Sequence, residues 1–102
     1  MEKIKTFTVG FENGLYDESK YSKEIAQYFG TDHNELIFSE DDVSKYLPYS
    51  QATYSEPFAD PSQLPTLMVS KLAREHVTVA LSGDGADELF GGYRRAKENL
   101  LW

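Results

Sequence analysis

Three carboxylates, Asp84, Asp87 and Glu88, crowd one short stretch that also holds Ser82, Gly83 and Gly85. Acids this close repel a bare phosphate, because like charges in a partly buried site raise the energy. A divalent cation removes the conflict: hard Mg²⁺ takes carboxylate and phosphate oxygens together and usually keeps several waters. The glycines let the backbone turn and aim N–H groups at an anion. These residue types therefore suit the holding of a magnesium-bound phosphate chain. Spacing alone leaves a second reading open, in which Asp84 and Asp87 cap a helix and complement its dipole. A calcium loop does not fit, since the alternating oxygen ligands of a twelve-residue loop are missing.

Such a turn needs elements to hold it. Val77–Leu81 is a run of apolar and β-branched residues that predicts a buried strand, and Ala86–Phe90 predicts the start of a helix. Upstream, Ile4–Phe11 alternates, with Lys5, Phe7, Val9 and Phe11 on the more apolar face, which predicts a first strand. Glu12-Asn13-Gly14 has turn chemistry, and Asp17 is the expected N-cap of a helix, with Tyr16 as a staple residue. That helix carries Tyr21, Ile25, Ala26, Tyr28 and Phe29 and ends at Gly30. Asn34–Phe38 predicts a second strand with His33 at its entrance, expected to be a surface or capping residue. A helix then starts at Ser39 or Asp41 and carries Val43, Tyr46 and Leu47, with Pro48 expected to interrupt or kink it before Tyr49–Tyr54. Pro57 and Pro61 stiffen the Glu56–Pro61 loop. Ser62 is the expected cap of a helix whose buried stripe is Leu64, Leu67, Met68, Leu72 and Ala73, and His76 ends it. Tyr93–Trp102 extends the last helix, with Arg94 and Arg95 on its solvated face. The order strand–helix–strand–helix–helix–strand–helix argues for an α/β fold with a parallel sheet. In such sheets ligands bind outside the carboxyl ends of the strands, where the acidic turn falls.

Composition narrows the class. The chain has 102 residues, 40% of them hydrophobic and 14% aromatic, which are globular values for at most one small domain. A net charge of −7 argues against binding nucleic-acid phosphates. With no cysteine, disulfides and thiolate zinc sites are excluded. No apolar run approaches a membrane span and no secretory signal opens the sequence, so a cytoplasmic location is expected.

Ser82-Gly83-Asp84-Gly85-Ala86-Asp87-Glu88-Leu89-Phe90-Gly91-Gly92-Tyr93 resembles the signature of the synthetase domain of glutamine-dependent asparagine synthetases. The likeness continues upstream through Glu56-Pro57-Phe58-Ala59-Asp60-Pro61-Ser62 and Lys5-Thr6-Phe7-Thr8-Val9-Gly10-Phe11 and covers nearly the whole chain. It implies a three-layer α/β fold with a parallel sheet, the adenine nucleotide hydrolase-like fold of the ATP pyrophosphatases, here truncated. It implies ATP and Mg²⁺, with aspartate and ammonia as the other small-molecule substrates. The family adenylates the aspartate side chain and lets ammonia attack the acyl-adenylate. By position, Ser82 and Gly83 would contact the nucleotide and Val9 would lie against adenine. Asp87 would bind Mg²⁺–pyrophosphate, with Glu88 supporting the metal site. Asp84, where glutamate often stands, would lie near the adenylated acid and incoming ammonia. The Glu56–Pro61 loop would shape the acid-substrate pocket.

The resemblance also shows what is missing. No Ser-Gly-Gly-x-Asp-Ser pyrophosphatase loop occurs in the 102 residues, and no glutaminase domain. Residues 1–102 are expected to be a single partial synthetase domain, inactive alone. Two alternatives stand beside it: a non-catalytic folding or interaction module derived from that domain, and a piece of a β-lactam synthetase, which shares much of the signature. The resembling fold places a central strand between Thr6–Phe11 and Val77–Leu81. Without it, either those two strands pair directly or the chain dimerises; a homodimer is expected.

Overall fold

A computed structural model describes residues 2–12, 18–56 and 59–93. The alternating stretch forms strand β1, Lys5–Phe11, and Ser19–Phe29 forms helix α1. Strand β2, Asp32–Phe38, lies parallel to β1 in a two-stranded sheet, with Val9 opposite Leu36 and Phe11 opposite Phe38. Three helices follow: α2, Glu40–Thr53; α3, Gln63–Arg74; and the single-turn α4, Ala86–Phe90. The parallel pair with its connecting helix is a βαβ unit, so the fold is α/β.

Alternate residues of a strand face opposite sides of the sheet. Thr6 and Thr8 share a cavity with Ser22, Ile25, Ala26 and Phe29 of α1. Phe7 and Val9 line a second cavity together with Thr8, with Ser19 and Ser22 of α1, and with Pro65, Thr66 and Val69 of α3, and the Phe7 ring lies 5.7 Å from that of His76. Helix α2 packs on α3 and β2, where Phe38 and Tyr46 meet edge to face at 5.5 Å. The Lys71 ammonium sits over the Tyr46 and Tyr49 rings at 4.9 and 5.0 Å. Among the described residues, the buried apolar core is Ala26, Phe38, Met68, Leu72 and Ala73, and only Met68 is fully enclosed. Leu64 and Leu67, expected in that core, are half-buried.

The helix ends follow local chemistry. Gly30 takes the left-handed conformation at φ 64°, where its N–H reaches Gln27 O and the Thr31 N–H reaches Ala26 O, closing α1 in a Schellman motif. Ser39 caps α2 in a capping box: its Oγ accepts from the Asp42 N–H at 3.2 Å, and the Asp42 carboxylate accepts from the Ser39 N–H. Asp42 is held below the usual aspartate range, first by the Ser39 hydroxyl and then by the Ser39 N–H. The expected Asp17 cap, Tyr16 staple, Pro57-Phe58 and the Arg94–Trp102 extension lie outside the described residues.

Four expectations are corrected. Pro48 neither ends nor splits α2, which runs through it to Thr53. A proline removes one ladder bond, and the capping box at one end and packing on α3 at the other outweigh that loss. Ser62 is in place before α3 but makes no cap; its N–H and hydroxyl both donate to Asp60 Oδ1, at 2.8 and 2.7 Å. His33 is no surface residue: Nδ1 lies 2.9 Å from Thr6 Oγ1, and Nε2 is buried without a partner. The largest correction concerns Val77–Leu81, which forms no strand. A strand needs a neighbour to fill its hydrogen bonds, and among the described residues β1 and β2 pair only with each other. The segment's start is instead committed to the end of α3: the Val77 N–H bonds Ala73 O, and the Arg74 guanidinium donates to Thr78 Oγ1. Beyond it Val79 is 80% and Leu81 99% exposed. Direct pairing of this segment with β1 therefore does not occur.

Candidate functional site

The acidic turn is built by two left-handed glycines. Gly85, at φ 91°, precedes α4, and Gly91, at φ 64°, closes it; a side chain at either would be strained. The turn is tightened by Ala86 N–H to Gly83 O and Leu89 N–H to Gly85 O. Ser82 Oγ accepts from the Asp84 N–H at 3.4 Å and donates to Asp84 Oδ2 at 3.1 Å, which joins two of the predicted residues.

Gly92 has a different role. Its N–H bonds Asp87 O, and a Cβ built there would fall 1.9 Å from Asp87 Oδ1, so the missing side chain is what lets the Asp87 carboxylate lie over this backbone. Glu88 accepts a 2.5 Å hydrogen bond from the Tyr93 hydroxyl. That bond is the main cause holding the Glu88 carboxyl below its usual range. Tyr93 and Gly92 stand in the signature, but their contacts with Glu88 and Asp87 become visible only once Gly91 turns the chain back on α4.

Val9 is half-buried in a cavity of about 270 Å³ shared with Phe7, Pro65 and Val69, which no residue from 82 to 88 lines. Ser82, Gly83, Asp84, Asp87 and Glu88 are all exposed. Among the described residues, no group of three or more histidines or acids is arranged to hold a metal ion. Magnesium does not require one, since it commonly takes one or two carboxylates and fills the rest with phosphate oxygens and water. The donor set fits that mode: Asp84 and Asp87 offer exposed hard oxygens, while Glu88 is engaged by Tyr93.

A second polar cluster ties down the loop after α2. Ser50, buried at 7% exposure, donates to Gln63 Oε1 at 2.9 Å, and Gln63 Nε2 donates to Asp60 O. The Ser62 hydroxyl, followed by the Ser62 N–H, holds the Asp60 carboxyl below its usual range. Sequence reading missed this network, as it did the Thr6–Thr31–His33 hydrogen bonds, because each depends on which elements pack together.

No solved structure matches the chain. The sequence profile of the asparagine synthase family matches residues 1–102. A putative glutamine-hydrolysing asparagine synthetase 2 of Methanocaldococcus jannaschii is 48% identical over 93 residues, covering 91% of this chain and 18% of the relative. The glutamine-hydrolysing asparagine synthetase 1 of Bacillus subtilis is 43% identical over 97 residues, covering 95% of this chain and 15% of the relative. Its counterpart 1 from Arabidopsis thaliana is 37% identical over 94 residues, covering 89% and 16%. The chain thus spans less than a fifth of the length of these relatives. With the whole of its length matched, acidic turn included, the chain belongs to the asparagine synthase family.

Proposed function

We propose that this chain is part of a ligase that adenylates the side chain of aspartate with ATP and amidates it with ammonia. The observation that carries the reading is the family match through the Ser82–Tyr93 turn, whose exposed acids suit a metal-bound phosphate chain. In the reaction an aspartate carboxylate oxygen attacks the α-phosphorus of ATP and pyrophosphate leaves; ammonia then attacks the acyl carbon and AMP leaves. Such steps need positioning and neutralised phosphate charge more than a protein nucleophile. When bound, Mg²⁺ neutralises phosphate oxygens and the departing pyrophosphate. Asp87 would hold that ion, and Glu88, steadied by Tyr93, supports the site. Ser82 and Gly83 hold the nucleotide, Val9 covers adenine, and Asp84 faces the acid and the incoming ammonia.

The 102 residues include no Ser-Gly-Gly-x-Asp-Ser loop, so the chain by itself is inactive in this reading. The companion reading is that the isolated chain is a folding or interaction module; a Val9 cavity lined by none of residues 82 to 88 favours it. A cytoplasmic setting and self-association as a homodimer belong to the same proposal. Among the described residues, no helix is long and apolar enough to cross a membrane.

Two measurements test it. Purified chain with aspartate, ammonia and MgATP should yield no AMP and no asparagine; their appearance would overturn the assigned inactivity. Mn²⁺, read by water-proton relaxation enhancement, should bind weakly, in the millimolar range worth roughly 4 kcal/mol. That binding should vanish in Asp87→Asn; unchanged enhancement would reduce the acids to turn and cap residues.

A further inference from the structure

Two consecutive glycines follow α4, and only the first is required by the backbone. Gly91 sits at φ 64°, a conformation that L side chains rarely adopt, whereas Gly92 is not among the glycines with positive φ. An alanine at 92 would carry no left-handed penalty, so what the position offers is the absence of a side chain. That absence serves no packing of the core, since Gly92 and every residue of α4 are exposed. It admits one group. A Cβ at 92 would overlap Asp87 Oδ1 and fall 2.9 Å from Asp87 Cγ, while the nearest backbone atom, Asp87 Cα, is 3.3 Å away. The conflict is with the carboxylate, which can swing to another χ1 well, and not with the fold.

The two neighbouring acids are restrained by consecutive residues. The Gly92 N–H bonds Asp87 O at 3.0 Å, which folds the chain back on α4, and Tyr93 then donates its hydroxyl to Glu88 Oε1. Glu88 is thereby occupied, whereas the Asp87 carboxylate makes no hydrogen bond among the described residues and keeps its oxygens for a ligand. An exposed, unpartnered carboxylate ordinarily samples several χ1 wells, and that freedom is lost when a ligand fixes it. One already seated on bare backbone has less to lose. We propose that Gly92 is a positioning residue for the metal-bound phosphate chain: by carrying no side chain, it lets the Asp87 carboxylate stand ready in the rotamer that meets the ion. This rests on the reading of Asp87 as the metal ligand and adds the residue that aims it.

The probe is Mn²⁺ alone, read by water-proton relaxation enhancement on the intact chain. Gly92→Ala should weaken its binding by about three- to tenfold, the range that a displaced rotamer costs, while the α/β circular dichroism stays unchanged. A second readout, which a merely structural role would not move, is the set of Hα–Hβ couplings of Asp87 in the absence of metal. The unsubstituted chain should show one dominant χ1 rotamer there, and Gly92→Ala a different one. Mn²⁺ binding that is lost in Asp87→Asn yet kept at full strength in Gly92→Ala would overturn this inference and leave the metal reading standing. Asp87 couplings averaged over several rotamers in the unsubstituted chain would overturn it as well, with no substitution needed. Binding unchanged by Asp87→Asn would overturn the metal reading and this inference with it.

Discussion

Met68→Ala is the substitution from which the packing argument can be broken most directly. Met68 lies in the middle of α3, 1% exposed, and is the one described side chain fully enclosed by its neighbours. Removing a buried Met side chain to Cβ costs about 2–5 kcal/mol, as lost transfer energy plus the cavity left behind. Only four other apolar residues, Ala26, Phe38, Leu72 and Ala73, are buried among those described, so the surroundings can collapse partly, and a cost of about 3 kcal/mol is expected. A small domain has in total roughly 5–15 kcal/mol, and a core this thin sits at the low end. With a urea slope of about 1.5 kcal/mol/M, the midpoint should fall by about 2 M, or the chain should be unfolded without denaturant. Met68→Leu, which nearly conserves volume, should cost less than about 1.5 kcal/mol. The assay is urea unfolding followed by circular dichroism for the three proteins. A midpoint for Met68→Ala within about 0.5 M of the parent would refute the assignment of Met68 as the centre of the core.

Four further outcomes follow from local geometry. Ser39→Ala breaks the capping box of α2 and should cost about 1 kcal/mol in the same unfolding assay. Because Asp42 is held low in the folded chain, its contribution to stability is full above the ordinary aspartate value and is lost as pH falls through the lower folded one; Asp42→Asn should flatten that part of the pH profile. Tyr93→Phe removes the hydroxyl donated to Glu88, so the Glu88 carboxyl should titrate closer to an ordinary glutamate by carbon-detected NMR, and an unmoved titration would contradict the contact. Gly30→Ala meets open space but a φ of 64°, and should cost about 1 kcal/mol from backbone strain alone, without loss of any packing.

Much of the architecture is local and was legible in the residues. Alternation in Lys5–Phe11, the stripe of α1 ending at Gly30 and the periodic Leu-Met-Leu pattern of α3 each specify their own element, because strand and helix periods differ and Gly30 alone accepts the left-handed turn. The acids and glycines of the Ser82–Tyr93 turn were legible as residue types, and the hard-oxygen site read from them belongs to the proposed function. The family likeness of the turn needed only the order of residues.

What the order of residues did not decide was everything that takes two elements. Val77–Leu81 has the composition of a buried strand, yet a strand exists only beside another, and here neither edge of the β1–β2 pair receives it. Pro48 was expected to interrupt or kink a helix that runs through it uninterrupted to Thr53. His33 became a half-buried partner of Thr6 because the parallel register sets those two residues opposite each other, a fact of pairing rather than of either strand. Glu88 and Tyr93, and Asp87 and Gly92, met because Gly91 turns the chain back on α4. Local propensity and motif chemistry act within a few residues, so the sequence by itself determined elements and donor types. Edges, registers and the residues that share the Val9 cavity depend on long-range burial, and only the tertiary structure decided them.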